Sequence, residues 1–244
     1  MKTVDVHVHL LNSSVSFDRF YDKIALYFFA KRFGIHAKDV LKEPYKAYTD
    51  ALIRNVEMSQ HIDKIVLFGV DAVVDEQGNI LHQDKTVCAS NEDVARLYQQ
   101  HPDKIIPFFS INPKRPDAVE LIKKYYAMGF KGAKLLQNYW GVDLNDKCYK
   151  SYFETLASLN LPTIIHIGSE NSIHSHKAYE SIDMLQQPLE LGVKVICAHM
   201  ALSYENGQFF KALRKDPKHY NEEYFKLLEM LTQYDNLYAI FQRF

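Results

Sequence analysis

Thr3-Val4-Asp5-Val6-His7-Val8-His9-Leu10 opens the chain with an alternation of apolar and polar side chains. Side chains of a strand alternate between its faces, so Asp5, His7 and His9 share one face while Val4, Val6, Val8 and Leu10 take the other. Three polar groups aimed into a packed interior are costly unless something receives them. Two imidazoles roughly 7 Å apart along one strand face can converge on a cation between them. Divalent ions such as zinc suit neutral imidazole at about 2.0–2.1 Å. A bare His-x-His is weak evidence, and it gains weight only at the end of the first strand of a barrel.

Six more short, β-rich apolar runs come after it: Lys64–Val70, Lys104–Ile111, Phe130–Leu136, Pro162–Ile167, Val193–Ala198 and Leu237–Phe241. Longer polar stretches with helical spacing separate them, which implies βαβ units and a parallel sheet. Ile65-Val66-Leu67-Phe68 is continuously apolar, as a strand covered on both faces by helices must be. The expectation is an α/β fold, a TIM-type (β/α) barrel with about seven strands visible. Ser90-Asn91-Glu92-Asp93 caps one helix and places acids in its first turn. Asn112–Asp117 turns the chain into the helix Ala118–Met128, and Gly129 stops it. Asp71–Gln83 reads as a β-hairpin.

Residues 11–62 are too many for a simple connection and are expected to form a helical insertion over the barrel mouth. Its aromatics Phe17, Phe20, Tyr21, Tyr27, Phe28, Phe29 and Phe33 read mostly as packing residues. With no internal repeat and no low-complexity linker, residues 1–244 read as a single barrel domain.

The 244 residues carry a formal net charge of -1, which leaves no electrostatic footprint for nucleic acid or an anionic membrane surface. Cys88, Cys148 and Cys197 are far apart and form no CxxC pair, which fits a reducing compartment. The first residues carry acid and histidine where a signal peptide needs an apolar run, and no stretch approaches the roughly 20 apolar residues of a membrane span. A cytoplasmic protein is expected.

His166 ends the run Thr163-Ile164-Ile165, and His199 ends Val195-Ile196-Cys197-Ala198. Each alone would ordinarily be a buried histidine bonded to a neighbouring carbonyl. Two of them, each closing a strand at the end where barrel active sites lie, point to function instead. Cys197 shares the parity of His199 one layer deeper and reads as core.

Together, Asp-x-His-x-His on strand one, Gly-Phe-Lys-Gly-Ala-Lys-Leu (129–135) on strand four, His166 on strand five and His199 on strand six resemble the amidohydrolase superfamily. The nearest branch is the amidohydrolase 2 group, which includes relatives of aminocarboxymuconate-semialdehyde decarboxylase. The resemblance implies that His7, His9 and His166 hold one divalent metal ion, zinc by donor type. His199 would polarise or protonate substrate, or bind a second metal if one is present. Lys134 is open: a carboxylated strand-four lysine bridges two metals in binuclear members, and the alternatives are substrate contact or structural pairing. In the loop 169–176, His174 and His176 are candidates for substrate contact, against a plain solvated loop.

The family pattern also supplies a strand-eight aspartate as metal ligand and general base, and no residue up to Phe244 matches it. Asp235 precedes strand seven, at the wrong rim. The expectation is thus a barrel truncated at its C-terminal side, with little turnover and self-association into a homo-oligomer through unpaired strand edges. The leading function is hydrolysis of a small carbonyl-containing substrate (amide, ester or lactone) by water that the metal activates. The alternatives are a metal-dependent decarboxylase of the same family and a non-catalytic remnant. TatD-type deoxyribonucleases also begin with His-x-His, but use a strand-four carboxylate where this chain has Lys134.

Overall fold

The computed structural model describes residues 3–15, 27, 30, 31, 33–84, 87–168, 174–202 and 222–240. They fall into two compact units: Met1–Asp71 with Gln83–Ser110 and Met128–Phe130, and Ala72–His82 with Ile111–Ala127 and Lys131–Phe244.

In the first unit, β1 (Val4–His9), β2 (Lys64–Phe68) and β3 (Ile105–Phe109) lie parallel, β2 pairing with both others. The ladder from β2 to β3 runs unbroken from Ile65 opposite Ile105 to Phe68 opposite Phe108. Between β1 and β2 the register shifts between Asp5 and Val8, where β1 carries one extra residue. Ile65, Val66, Leu67 and Phe68 are all buried, as expected of a strand covered on both faces. Among the described residues of this unit lie the helices α1 (Ala37–Lys42), α2 (Pro44–Met58) and α3 (Asn91–Gln100). Pro44 begins α2 where its missing N–H costs nothing, and the helix buries Tyr48, Ala51, Leu52 and Val56. The Ser90 hydroxyl caps α3, accepting from the Asp93 amide at 3.0 Å.

Of the aromatics read as packing residues, Phe33 meets Tyr48 edge-on at 5.7 Å. Tyr27 is instead 58% exposed, which its polar hydroxyl tolerates. Phe17, Phe20, Tyr21, Phe28 and Phe29 lie outside the described residues.

The second unit opens with the expected hairpin, Val73–Val74 against Ile80–His82. Asp75 organises its turn by accepting from the Gln77 and Asn79 amides at 3.0 and 2.8 Å, with Gly78 at φ +81°. The helix α4 (Ala118–Ala127) then leads to four parallel strands: β4 (Gly132–Leu135), β5 (Thr163–Ile165), β6 (Val195–Cys197) and β7 (Leu237–Ala239). Thr163 stands opposite Ala133 and Val195, and Val195 opposite Leu237. The helices α5 (Gln137–Trp140), α6 (Lys150–Ser158), α7 (Gln186–Glu190) and α8 (Glu222–Gln233) occupy the connections. Trp140, Phe153, Leu156, Ile164, Ile165 and Val195 form its core, each 1% exposed or less.

Strands thus stand where the seven apolar runs predicted them, each shorter than its run because the flanking residues leave the ladder for turns. The repeating strand and helix are those of a TIM-type (β/α) barrel. No described helix is long and apolar enough to cross a membrane.

Candidate functional site

In the first unit the strand-one histidines meet. His7 Nε2 and His9 Nε2 are 3.1 Å apart, with ring centroids at 5.1 Å. This is closer than the rise of a strand alone would bring them, because the rings tilt toward each other by 37° over the Phe68 ring. His7 is buried and His9 exposed. Asp5 does not join them: it is exposed, and its carboxylate accepts from the His7 amide at 3.1 Å. The short carboxylate folds back on its own strand beside the bulge, where a local donor is cheaper than entry into the interior.

The backbone at this strand end is fastened on both sides. The Leu10 amide donates to the Phe68 carbonyl at 2.8 Å, and the Tyr48 hydroxyl donates to the His9 carbonyl at 2.6 Å. Burial first, then the charge of Asp5, raises the Tyr48 phenol above its ordinary range, so it stays a donor. Beyond it, buried Asn12 donates to the Cys88 carbonyl and receives the Ser14 amide and hydroxyl at 2.8 Å.

Two imidazole nitrogens at 3.1 Å suit one cation. Ligands about 2.0–2.1 Å from a tetrahedral ion are about 3.3 Å from each other, and imidazole favours zinc and its first-row neighbours. The His7–His9 donor pair therefore fits a divalent metal. Among the described residues no group of three or more histidine, cysteine, aspartate or glutamate side chains is gathered to hold one.

The second unit brings together the other predicted histidines. His166 leaves β5 and His199 lies just beyond β6; both are buried, with ring centroids 4.9 Å apart at 65°. His199 sits in a left-handed turn, at φ +58°, followed by Met200 at +53° and Ala201 at +52°. Burial first, and then the positive charge of Lys134, lowers the His199 imidazole to about 3, so it is neutral near pH 7. Lys134, on β4, is fully buried. Cys197 is fully buried, as expected of a core residue, and burial pushes its thiol up to about 12.

A polar lattice holds the neighbouring loop. Gln137, fully buried, donates from Nε2 to the His166 carbonyl and, at 3.0 Å, to the Tyr179 carbonyl. Asn138 donates to the Ser175 hydroxyl at 3.1 Å, and Ser175 donates to the Glu180 carboxylate. His174 and His176 meet edge to face at 4.8 Å, His174 exposed and His176 lying over Gly141. Residues 169–173 of that loop are outside the described residues.

Sequence reading missed Tyr48, Gln137 and Asn12. Gln137, a polar residue directly after a strand end, carried a signal; Tyr48 did not, since it reads as one more aromatic on an apolar helix face.

Fold and histidine placement define a (β/α)-barrel protein with paired histidines at strand ends. Its family is equally plain: a model of the Amidohydro_2 amidohydrolase family matches residues 4–244, and the chain belongs to that family. No curated protein matches the chain. Among solved structures it resembles an uncharacterised TIM-barrel protein from Bordetella bronchiseptica, with a TM-score of 0.59 at 14% identity over 98% of this chain and 74% of that one. A probable 2-pyrone-4,6-dicarboxylic acid hydrolase from Acinetobacter baumannii, with citric acid bound, gives 0.54 at 16% identity over 93% of this chain and 66% of that one. The 5-carboxyvanillate decarboxylase from Novosphingobium aromaticivorans, complexed with manganese and 4-hydroxy-3-methoxy-5-nitrobenzoic acid, gives 0.52 at 15% identity over 99% and 74%. At these identities the likeness is one of fold. The chain spans just under two thirds of the A. baumannii protein's length.

Proposed function

We propose that this chain is a metal-dependent hydrolase acting on a small carbonyl-containing substrate, an amide, ester or lactone. The observation that carries this reading is the 3.1 Å approach of His7 Nε2 to His9 Nε2, together with membership of the amidohydrolase family. In this reading His7, His9 and His166 hold one divalent ion, zinc by donor type, and His199 is the ligand of a second ion if one binds. When bound, such an ion polarises a carbonyl oxygen and lowers the pKa of water.

The remaining work falls to side chains. A neutral His199 still has one N–H to donate, and we assign it to the carbonyl oxygen as negative charge develops there. Its low pKa argues against its delivering a proton as an imidazolium. We assign Lys134 to substrate contact, where its charge also keeps His199 neutral, and His174 and His176 to the substrate side of the loop after β5.

The test is metal content of protein purified without chelator, followed by turnover on amides, esters, lactones, β-keto acids and aromatic acids. Hydrolysis lost on chelation and restored by zinc, manganese or cobalt is expected. Failure to take up any of these ions overturns the reading. Release of carbon dioxide from the acids without hydrolysis makes the chain a decarboxylase of the same family instead.

A further inference from the structure

We propose that Tyr48 is the positioning residue of the His7–His9 pair, an inference that rests on reading that pair as metal ligands. Tyr48 lies on the buried face of α2, its ring edge-on to Phe33 at 5.7 Å. Its hydroxyl donates to the carbonyl of His9, the last residue of β1, at 2.6 Å. On the other side, the ladder sets His9 opposite Phe68, whose carbonyl receives the Leu10 amide at 2.8 Å. The peptide leaving His9 is therefore clamped between β2 and α2.

The clamp matters because the two histidines are held unequally. His7 is buried and packed; His9 is exposed, and its ring leans on the His7 ring, nitrogen to nitrogen at 3.1 Å, and on the edge of the Phe68 ring at 4.7 Å. Those contacts are made only while the His9 backbone directs the Cα–Cβ bond toward them. Two nitrogens 3.1 Å apart tolerate little drift before one no longer reaches a shared ion. The phenol limits that drift at the residue where the strand ends.

Coupling of this kind is reciprocal: if Tyr48 organises the ligands, an ion on the ligands must steady the helix that carries Tyr48. The experiment is a cobalt(II) titration of the full chain, read by the visible d–d bands. It compares wild type, Tyr48→Phe, Phe33→Leu and His9→Ala, with thermal midpoints taken in chelator. We expect Tyr48→Phe to bind cobalt about tenfold more weakly, the size of loss that outer partners of ligands cause, and with shifted bands. Phe33→Leu loosens the same helix without touching the hydroxyl, so it should lower the midpoint and keep wild-type affinity. In wild type alone, cobalt should slow amide hydrogen exchange across residues 45–58, a measurement that needs no variant to fold.

Wild-type affinity and bands in Tyr48→Phe, with binding lost in His9→Ala, would show a phenol with only a structural role. Unchanged exchange in the helix on cobalt binding would overturn the proposal equally. Equal cobalt affinity in His9→Ala and wild type would remove the ligand reading itself, and this proposal with it.

Discussion

His7 and His9 leave one strand two residues apart and meet nitrogen to nitrogen at 3.1 Å, with His9 open to water. His166 and His199 leave two neighbouring strands and meet edge to face at 4.9 Å, both buried. The first pair is made by local periodicity and set by the backbone around it. The second is made by the pairing of β5 with β6, and its chemistry is set by what surrounds it. Burial and Lys134 hold His199 neutral, and a left-handed turn aims its ring. Each pair also has a strand-end carbonyl held by a buried side-chain donor, Tyr48 at His9 and Gln137 at His166. A side chain exposed to solvent depends more on such a clamp than one packed from every side.

The largest effect should come from breaking the first pair. His7→Ala with His9→Ala should lower zinc affinity by more than the roughly 10–100-fold that a lost outer partner costs. The chelated protein should keep its circular dichroism spectrum. Calorimetric titration checks this, and retained tight binding would detach the pair from the metal.

The second pair should declare itself through pH. His199 ordinarily titrates at 6.5 and here at about 3. Below pH 6.5 the unfolded chain takes a proton that the folded chain refuses until about pH 3. The stability this neutral histidine contributes is thus complete above 6.5 and is lost as pH falls through that window. One such proton changes stability by about 1.4 kcal/mol per pH unit. In chelator, His199→Gln should therefore show a flatter loss of stability between pH 6.5 and 3, by urea unfolding at several pH values; parallel curves would contradict a buried neutral imidazole. Lys134→Met should raise the His199 pKa, followed by NMR, but leave it below 6.5, since burial is the larger cause.

A smaller loss should follow Gln137→Leu, which deprives the His166 and Tyr179 carbonyls of their donor at about 1–3 kcal/mol. If the two units' clamps act separately, the variant lowers the urea midpoint but leaves the His9 side unaffected. The smallest change should be Ala201→Gly. A left-handed alanine costs about 1–2 kcal/mol, but Ala201 is fully buried, so losing its methyl costs about 0.8 kcal/mol and glycine's added unfolded entropy about 0.5–1 kcal/mol; the variant should stay within about 0.5 kcal/mol of wild type. A loss of about 1.5 kcal/mol or more would show that the turn at His199 is held without strain.

The strands, the helix signals at Ser90 and Asn112–Asp117, the hairpin at Asp75–Asn79 and the histidine at each strand end were legible because each is a local pattern. Period-two alternation puts His7 and His9 on one face whatever surrounds them. The same alternation placed Asp5 beside them, and there it misled: a bulge in β1 and a carboxylate bonded to its own backbone are not written in spacing.

By itself, then, the sequence determined the alternation of strands and helices, the family and the identity of the candidate ligands, all of which come from residue type and short-range periodicity. Only the tertiary structure decided that Tyr48, 39 residues away, would hold the His9 carbonyl. It likewise decided that burial, and then the charge of Lys134, would keep His199 neutral. Hydrogen bonds and desolvation depend on distances between residues remote in the chain, and those distances exist only once the chain has folded.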